Sequence, residues 1–100
     1  MKNITFALAA TLLMAAPAFA GGDAAIGKTK VAMCSACHGA AGISAIPTYP
    51  NLAGQKEAYI VKQLHDFRSG ARKAPVMAPM AKALAEEDIA HVAAYFASLK

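Results

Sequence analysis

The chain has 100 residues, 57% of them hydrophobic, and a formal net charge of +4 from ten Lys and Arg against six Asp and Glu. That length leaves room for one small domain, whose hydrophobic core alone gives only marginal stability. The basic residues alternate with apolar ones instead of clustering, which argues against a nucleic-acid-binding module and leaves a mild preference for acidic partners.

The start of the chain has the pattern of an export signal. A positive charge precedes an apolar run of about a dozen residues, and Ala18 and Ala20 supply the small side chains of an A-x-A cleavage site. A membrane-spanning helix needs about 20 apolar residues, so this run is too short for one. We expect residues 1–20 to be a cleaved signal peptide, with an uncleaved tether as the alternative. Residues 21–100 are then one domain with no membrane span.

No alternating pattern of β-branched residues indicates a sheet, and three amphipathic helices are predicted in an all-α domain. The first is expected to begin at Asp23 as the N-cap. It places Gly27, Val31 and Cys34 on one stripe, at i, i+4 and i+7. A glycine on this stripe permits close approach of another backbone, and we expect Gly27 to meet Tyr95 or Phe96 where the first helix crosses the last.

The second helix is predicted over residues 56–69. Ile60, Leu64 and Phe67 recur there with helical spacing. Gly70 is suited to the position that follows the last turn.

The last helix has the cleanest helical period in the chain, carried by Ile89, Val92, Phe96 and Leu99. Residues 86–88 are acidic and lie where the helix dipole favours negative charge. Three consecutive carboxylates on a helix point in different directions, so an acid/base site is not expected here.

Residues 34–38 read Cys-Ser-Ala-Cys-His, the C-x-x-C-H signature of haem attachment. The two thiols add across the haem vinyl groups, and two intervening residues set the separation that one helical turn supplies. His38 follows directly and reaches the iron as the proximal ligand. The motif predicts one covalently bound haem c, which would also complete the core of a domain this small.

Three alternatives explain the cysteines less well. A zinc site needs four ligands, but the other histidines, His65 and His91, have no finger-like spacing to the motif. A redox-active thiol pair is expected beside a βαβ pattern, which is missing. A structural disulfide leaves the adjacent histidine unexplained.

With this motif in place, the chain resembles the class I c-type cytochromes, in particular the small periplasmic cytochromes of the c553 type and one lobe of the two-haem cytochrome c4. The resemblance covers nearly all of residues 21–100 and implies a class I cytochrome c fold, with three main helices around one covalent haem. It rests on Gly22-Asp23 with Gly27, on Pro50-Asn51-Leu52-Ala53-Gly54-Gln55, on Tyr59 with Gln63-Leu64, and on Ala93-Ala94-Tyr95-Phe96-Ala97.

The resemblance also implies how the proximal histidine is held. In this family a proline carbonyl accepts a hydrogen bond from the other ring nitrogen of that histidine, which orients the ring and raises its basicity. Pro50 matches this position, and Pro47 is the competing candidate.

The sixth iron ligand implied by the family is a methionine, whose soft thioether raises the reduction potential. Two methionines, Met77 and Met80, lie in a segment that also contains Pro75 and Pro79, and these prolines predict an extended or turning ligand loop over residues 74–81. Met77 matches the family position and Met80 is the second choice. The remaining alternative is one of the two histidines outside the motif, both of which we expect to face solvent.

Several pocket residues are implied by the same resemblance. The expected walls of the pocket are Leu52, Tyr59, Leu64 and Phe67. Arg72 matches a basic residue that pairs with a haem propionate, the alternative being an ordinary exposed arginine.

An iron ligated by histidine and methionine has no open position, so the resemblance implies outer-sphere electron transfer and no enzyme activity. We expect a periplasmic carrier between redox protein donors and acceptors that present acidic groups. The alternatives are a small cytochrome subunit of a dehydrogenase or oxidase complex, and a haem protein with an open iron site.

Overall fold

The computed structural model describes residues 21–100. The predicted signal peptide, residues 1–20, lies outside the described residues. The helices are α1 (Ala24–Lys28), α2 (Ala32–His38), α3 (Glu57–Ser69), α4 (Met77–Ala83) and α5 (Glu86–Ser98). Residues 21–100 contain no strand, so the all-α prediction is confirmed. No helix in this part of the chain has the length and apolarity to span a membrane.

The first predicted helix is interrupted, so the expectation of one continuous stripe was wrong. Asp23 caps α1 as predicted, its side chain accepting from the N–H of Ala25 at 2.8 Å. The N–H groups of Thr29 and Lys30 then bond to carbonyls three residues back, a tighter turn that ends the helix. The Thr29 hydroxyl also donates to the Ile26 carbonyl at 2.6 Å and competes with the regular helical bonds.

The chain packs closely where α1 crosses α5. A Cβ added to Gly27 would lie 1.9 Å from the carbonyl oxygen of His91, and one added to Gly22 would lie 2.1 Å from the carbonyl carbon of Ala90. The N–H of Asp23 donates to Nδ1 of His91 at 2.8 Å. The predicted close approach of Gly27 to the last helix is confirmed, although the nearest atoms are those of His91, and the expected Tyr95 lies 2.9 Å from an added Cβ.

The core lies between α5 and α3. Phe96, Ile89 and Val92 of α5 are the largest fully buried side chains. The buried residues of α3 are Ile60, Leu64 and Phe67, which are the three that its helical period singled out. The α3 stripe is confirmed in full, and the α5 stripe is confirmed except at Leu99, which follows the end of the helix and is partly buried.

The segment after α3 differs from the prediction. Residues 77–83 form the helix α4, where the two prolines predicted an extended or turning loop. Pro79 is the third residue of α4, and the first N–H groups of a helix have no partner within it, so the proline removes no hydrogen bond there. Ala81 of α4 is fully buried against the core.

Candidate haem site

A cavity of about 510 Å³ opens between α2, α3, α4 and the loop that precedes α3. Every residue that the sequence assigned to the haem site lines this cavity. These residues come from four separate segments of the chain. These residues are Cys34, Cys37, His38, Pro50, Leu52, Tyr59, Leu64, Phe67, Arg72, Met77 and Met80. The cavity therefore gathers the predicted attachment, ligand and wall residues in one place.

His38 is the last residue of α2 and is buried, with 7% of its surface exposed. Its Nδ1 lies 2.8 Å from the carbonyl oxygen of Pro50. A carbonyl only accepts, so Nδ1 is the donor in this bond, and Nε2 is the ring nitrogen that stays available to a metal. The carbonyl that meets the ring is that of Pro50, and Pro47 is not among the residues lining the cavity.

The loop after α2 places this carbonyl. Gly39 ends the helix with a φ of 87°, a conformation that glycine adopts without strain. The carbonyl oxygen of Gly42 accepts from the N–H groups of Leu52 and Ala53, at 2.8 and 3.0 Å, and closes the loop on itself. Asn51 accepts from the N–H of Ser44 at 2.8 Å. Sequence reasoning missed these contacts, because their partners are seven or more residues apart.

The two cysteines lie on α2, three residues apart, and are partly buried free thiols. Burial raises the pKa of the Cys34 thiol above its ordinary value, and a hydrogen bond to its own backbone partly offsets this.

The two methionines of α4 differ in burial. Met77 is partly buried and packs against the hydrophobic core, whereas Met80 is 39% exposed. Both line the cavity. The thioether of Met77 is thus the one whose position the core restrains.

Arg72 stands at the rim of the cavity. Its guanidinium donates to Oε1 of Gln63 at 2.7 Å and lies 4.6 Å above the centre of the Phe67 ring. This cation–π contact holds the charge over a wall of the cavity. Gln63 was given no role from the sequence, although its place one turn after Tyr59 on α3 could have indicated that it faces the same way.

The histidines outside the motif lie away from the cavity lining. Nε2 of His65 is 2.8 Å from Oε1 of Glu86, and His91 accepts from the N–H of Asp23, the N-cap of α1. The His65 side chain is 44% exposed, as expected, whereas His91 is partly buried where it meets Asp23. Within residues 21–100, no group of three or more His, Cys, Asp or Glu side chains is arranged to hold a metal ion, as the zinc alternative would require.

The groups around the cavity fit a covalently bound haem. Two thiols one helical turn apart lie beside a buried imidazole that is held through Nδ1, and a partly buried thioether lies on another wall. Nitrogen and sulfur donors of this kind are those that hold haem iron in c-type cytochromes. The remaining walls are mostly apolar, with basic side chains at the rim.

Comparisons with known proteins agree with this chemistry. The family described as Cytochrome c matches residues 24–100. The chain is 46% identical to cytochrome c4 of Pseudomonas aeruginosa over 100 residues, which are all of this chain and 50% of the relative. It is 48% identical to cytochrome c-554(548) of Halomonas halodenitrificans over 80 residues, which are 77% of this chain and 96% of the relative.

A solved structure has the same fold. The crystal structure of reduced recombinant cytochrome c4 from Pseudomonas stutzeri aligns with a TM-score of 0.76 and 44% identity, over 80% of this chain and 47% of that one. The chain spans about half the length of the cytochrome c4 relatives that it matches. The family match and the near-complete cover of a relative at 48% identity show that the chain belongs to the cytochrome c family, with the class I fold and covalent haem c as its cofactor.

Proposed function

We propose that residues 21–100 carry single electrons between larger redox proteins and perform no bond chemistry of their own. Cys34 and Cys37 form the thioether links, and His38 and Met77 are the two axial ligands. The haem iron supplies a one-electron couple whose potential depends on its ligands and on burial. The chain's own residues hold, orient and shield that group.

The observation that carries this proposal is the hydrogen bond from Nδ1 of His38 to the Pro50 carbonyl, at 2.8 Å. It makes Nδ1 the donor and orients a buried ring whose other nitrogen is available to a metal. An imidazole held in this way has little freedom to reorganise when the charge of the bound iron changes.

Met77 supports electron transfer in preference to catalysis. A thioether that fills the sixth position leaves no site for oxygen or substrate, and it favours the reduced state because sulfur is a soft donor. The Met77 side chain contacts the core and is therefore more restrained than that of Met80.

The rim of the cavity supports a partner with acidic groups. Among the described residues, the cavity lining includes Arg72 and Lys73 and no aspartate or glutamate. A basic rim around an exposed cofactor edge attracts an acidic surface over a distance of about 10 Å at 0.1 M salt. We infer docking of electron donors and acceptors on this rim, as a free carrier or as a cytochrome subunit of a larger complex.

Export to the periplasm is part of the same proposal. The pattern of residues 1–20 supports a signal peptide that is removed after Ala20. Electrophoresis and mass measurement of the exported protein test this boundary, because cleavage at that point leaves a chain that begins at Gly21.

The proposal is tested by absorption spectra of the protein exported in cells that mature c-type haem, oxidised and reduced, with and without carbon monoxide. We expect sharp low-spin bands, a sulfur-to-iron band in the oxidised state, and no response to carbon monoxide. A ready spectral shift with carbon monoxide would mean an open iron site and would support a gas-binding or catalytic haem protein instead. Loss of a larger partner when salt is raised would separate electrostatic docking from a tight subunit.

A further inference from the structure

Arg68 lies on α3 but outside the lining of the haem cavity, and its guanidinium reaches across to the end of α4. Nε and Nη2 donate to the carbonyl oxygen of Ala81 at 3.4 and 3.3 Å, and Nη2 also donates to the carbonyl oxygen of Leu84. These carbonyls belong to the last turn of α4 and to the residue that follows it. The function proposed above makes no use of Arg68.

The Ala81 carbonyl also accepts from the N–H of Leu84, at 3.3 Å, so Arg68 adds charge-assisted bonds to a helix end that this backbone bond closes. The last carbonyls of a helix have no partner within it, and the helix dipole favours a cation at that end. A helix of 7 residues is far too short to persist alone in water. The residue that ends α4 is Leu84 in an extended conformation, without the glycine turn that closes many helices. The planar fork of an arginine can satisfy two such carbonyls together.

The guanidinium is itself held in place. Nη1 of Arg68 donates to Oε2 of Glu86, the first residue of α5, at 2.5 Å. The other carboxylate oxygen of Glu86 bonds to His65, which lies one turn before Arg68 on α3. The Arg68 side chain is only 27% exposed. Because both ends of this network are anchored on long helices, Arg68 ties α4 to α3 and α5.

The contact at Ala81 bears on Met77 through helix geometry. Met77 and Ala81 are four residues apart on α4 and therefore lie on the same face, one above the other. Ala81 is fully buried in the core, and Met77 packs against that core from the cavity side. A shift or loosening of the last turn of α4 would move the Met77 side chain with it.

We propose that Arg68 is a positioning residue for the iron ligand, holding α4 by its last carbonyls so that the Met77 thioether stays directed at the haem. This inference rests on the ligand assignment in the proposed function. It extends that assignment to a residue that touches neither the haem cavity nor Met77.

The test uses the haem-loaded protein and the substitution Arg68→Gln. We expect the backbone amides of α4 to exchange hydrogen about tenfold faster, since the loss of a charge-assisted hydrogen bond corresponds to roughly that factor. The sulfur-to-iron band should weaken and disappear on heating below the temperature at which the helices unfold, and the reduced protein should begin to bind carbon monoxide. The amides of α5 should exchange as in the parent.

Two further variants sharpen the result. Arg68→Lys keeps the charge but loses the planar fork, so it should give an intermediate exchange rate and band, and it serves if Arg68→Gln does not fold. Lys62→Gln removes another cation of α3, one that pairs with Asp66 on the same helix. It is the matched control and should leave α4 exchange and the sulfur-to-iron band unchanged.

The outcomes separate this inference from the proposed function. If Arg68→Gln leaves both α4 exchange and the band unchanged, Arg68 does not position α4. If exchange rises but the band and carbon monoxide response do not change, Arg68 stabilises the helix only, and its role in placing Met77 is wrong. If the band survives in Met77→Ala, the ligand assignment itself fails and this inference with it. Loss of the band in Met77→Ala and in Arg68→Gln together supports both.

Discussion

Where α1 crosses α5 the chain packs backbone against backbone, whereas the face formed by α2, α3 and α4 leaves large apolar side chains at the surface. Gly27 approaches α5 so closely that a single added carbon would overlap a carbonyl. On the cavity face, Met33 is 54% exposed and Val76 is 59% exposed. Exposed apolar side chains gathered around a cavity are typical of a ligand site. The contact between α1 and α5 thus buries protein against protein, whereas the cavity face buries its apolar side chains against the cofactor.

The largest effect should come from replacing the two cysteines that attach haem on the cavity face. In the double variant Cys34→Ala and Cys37→Ala we expect no covalent haem and a largely unfolded chain, because a domain this small buries too little apolar surface without its cofactor. Haem staining after denaturing electrophoresis and far-ultraviolet circular dichroism measure the two effects. Ser35→Ala, between the cysteines, is the control and should attach haem normally. A well-folded haem-free variant would contradict this view of the core.

The substitution Gly27→Ala tests the contact between α1 and α5. Its new methyl group would lie 1.9 Å from the carbonyl oxygen of His91 and 2.6 Å from the carbonyl carbon, so the two helices must separate. We expect the free energy of unfolding of the haem-loaded protein to fall by about 3 kcal/mol or more, at the upper end of overpacking costs.

The matched comparison for this change is Gly70→Ala. Gly70 has a φ of 84° but no atom within 4 Å of an added Cβ, so only the strained conformation should cost free energy, about 1–2 kcal/mol. Denaturant unfolding followed by circular dichroism measures both variants. Equal losses in the two would mean that the contact of α1 with α5 matters less than its geometry indicates.

The substitutions Met77→Ala and Met80→Ala test the cavity face without unfolding the domain. We expect Met77→Ala to lose the sulfur-to-iron band completely, lower the reduction potential and bind carbon monoxide, whereas Met80→Ala keeps the band because its side chain is more exposed and less restrained. Absorption spectroscopy and a redox titration measure this. The reverse pattern would assign the ligand to Met80.

The smallest effect on stability is expected at Glu86, the first residue of α5. The hydrogen bond from His65, and then the charges of His65 and Arg68, hold the pKa of Glu86 below its ordinary value. A carboxyl group whose pKa is lowered on folding stabilises the protein above its ordinary pKa of 4.5, and this contribution is lost as the pH falls through the lowered value. Because Glu86 is exposed, the contribution should be small.

The measurement is unfolding of the parent and of Glu86→Gln between about pH 6 and pH 3. The difference between them should be constant at the upper end and should shrink towards the lower end. Glu87→Gln is the control, since Glu87 forms no salt bridge within the described part of the chain. A difference that does not change with pH would show that the network at Glu86 is not ionic.

The sequence by itself determined the parts of this protein that depend on neighbours along the chain. The helical period of α3 and α5 defined their buried stripes, because side chains three and four residues apart share a helix face wherever the helix lies. The haem motif was equally local, since attachment needs two thiols and a histidine within five consecutive residues.

Only the tertiary structure decided the rest. The local pattern was consistent with one continuous first helix and with an extended segment at the prolines of α4, and the structure contradicted both. The bond of His38 with Pro50 instead of Pro47 and the bonds of Arg68 with the end of α4 join residues 12 to 16 positions apart. Such contacts depend on how loops close and which helix ends meet, and these are set by the packing of the whole domain.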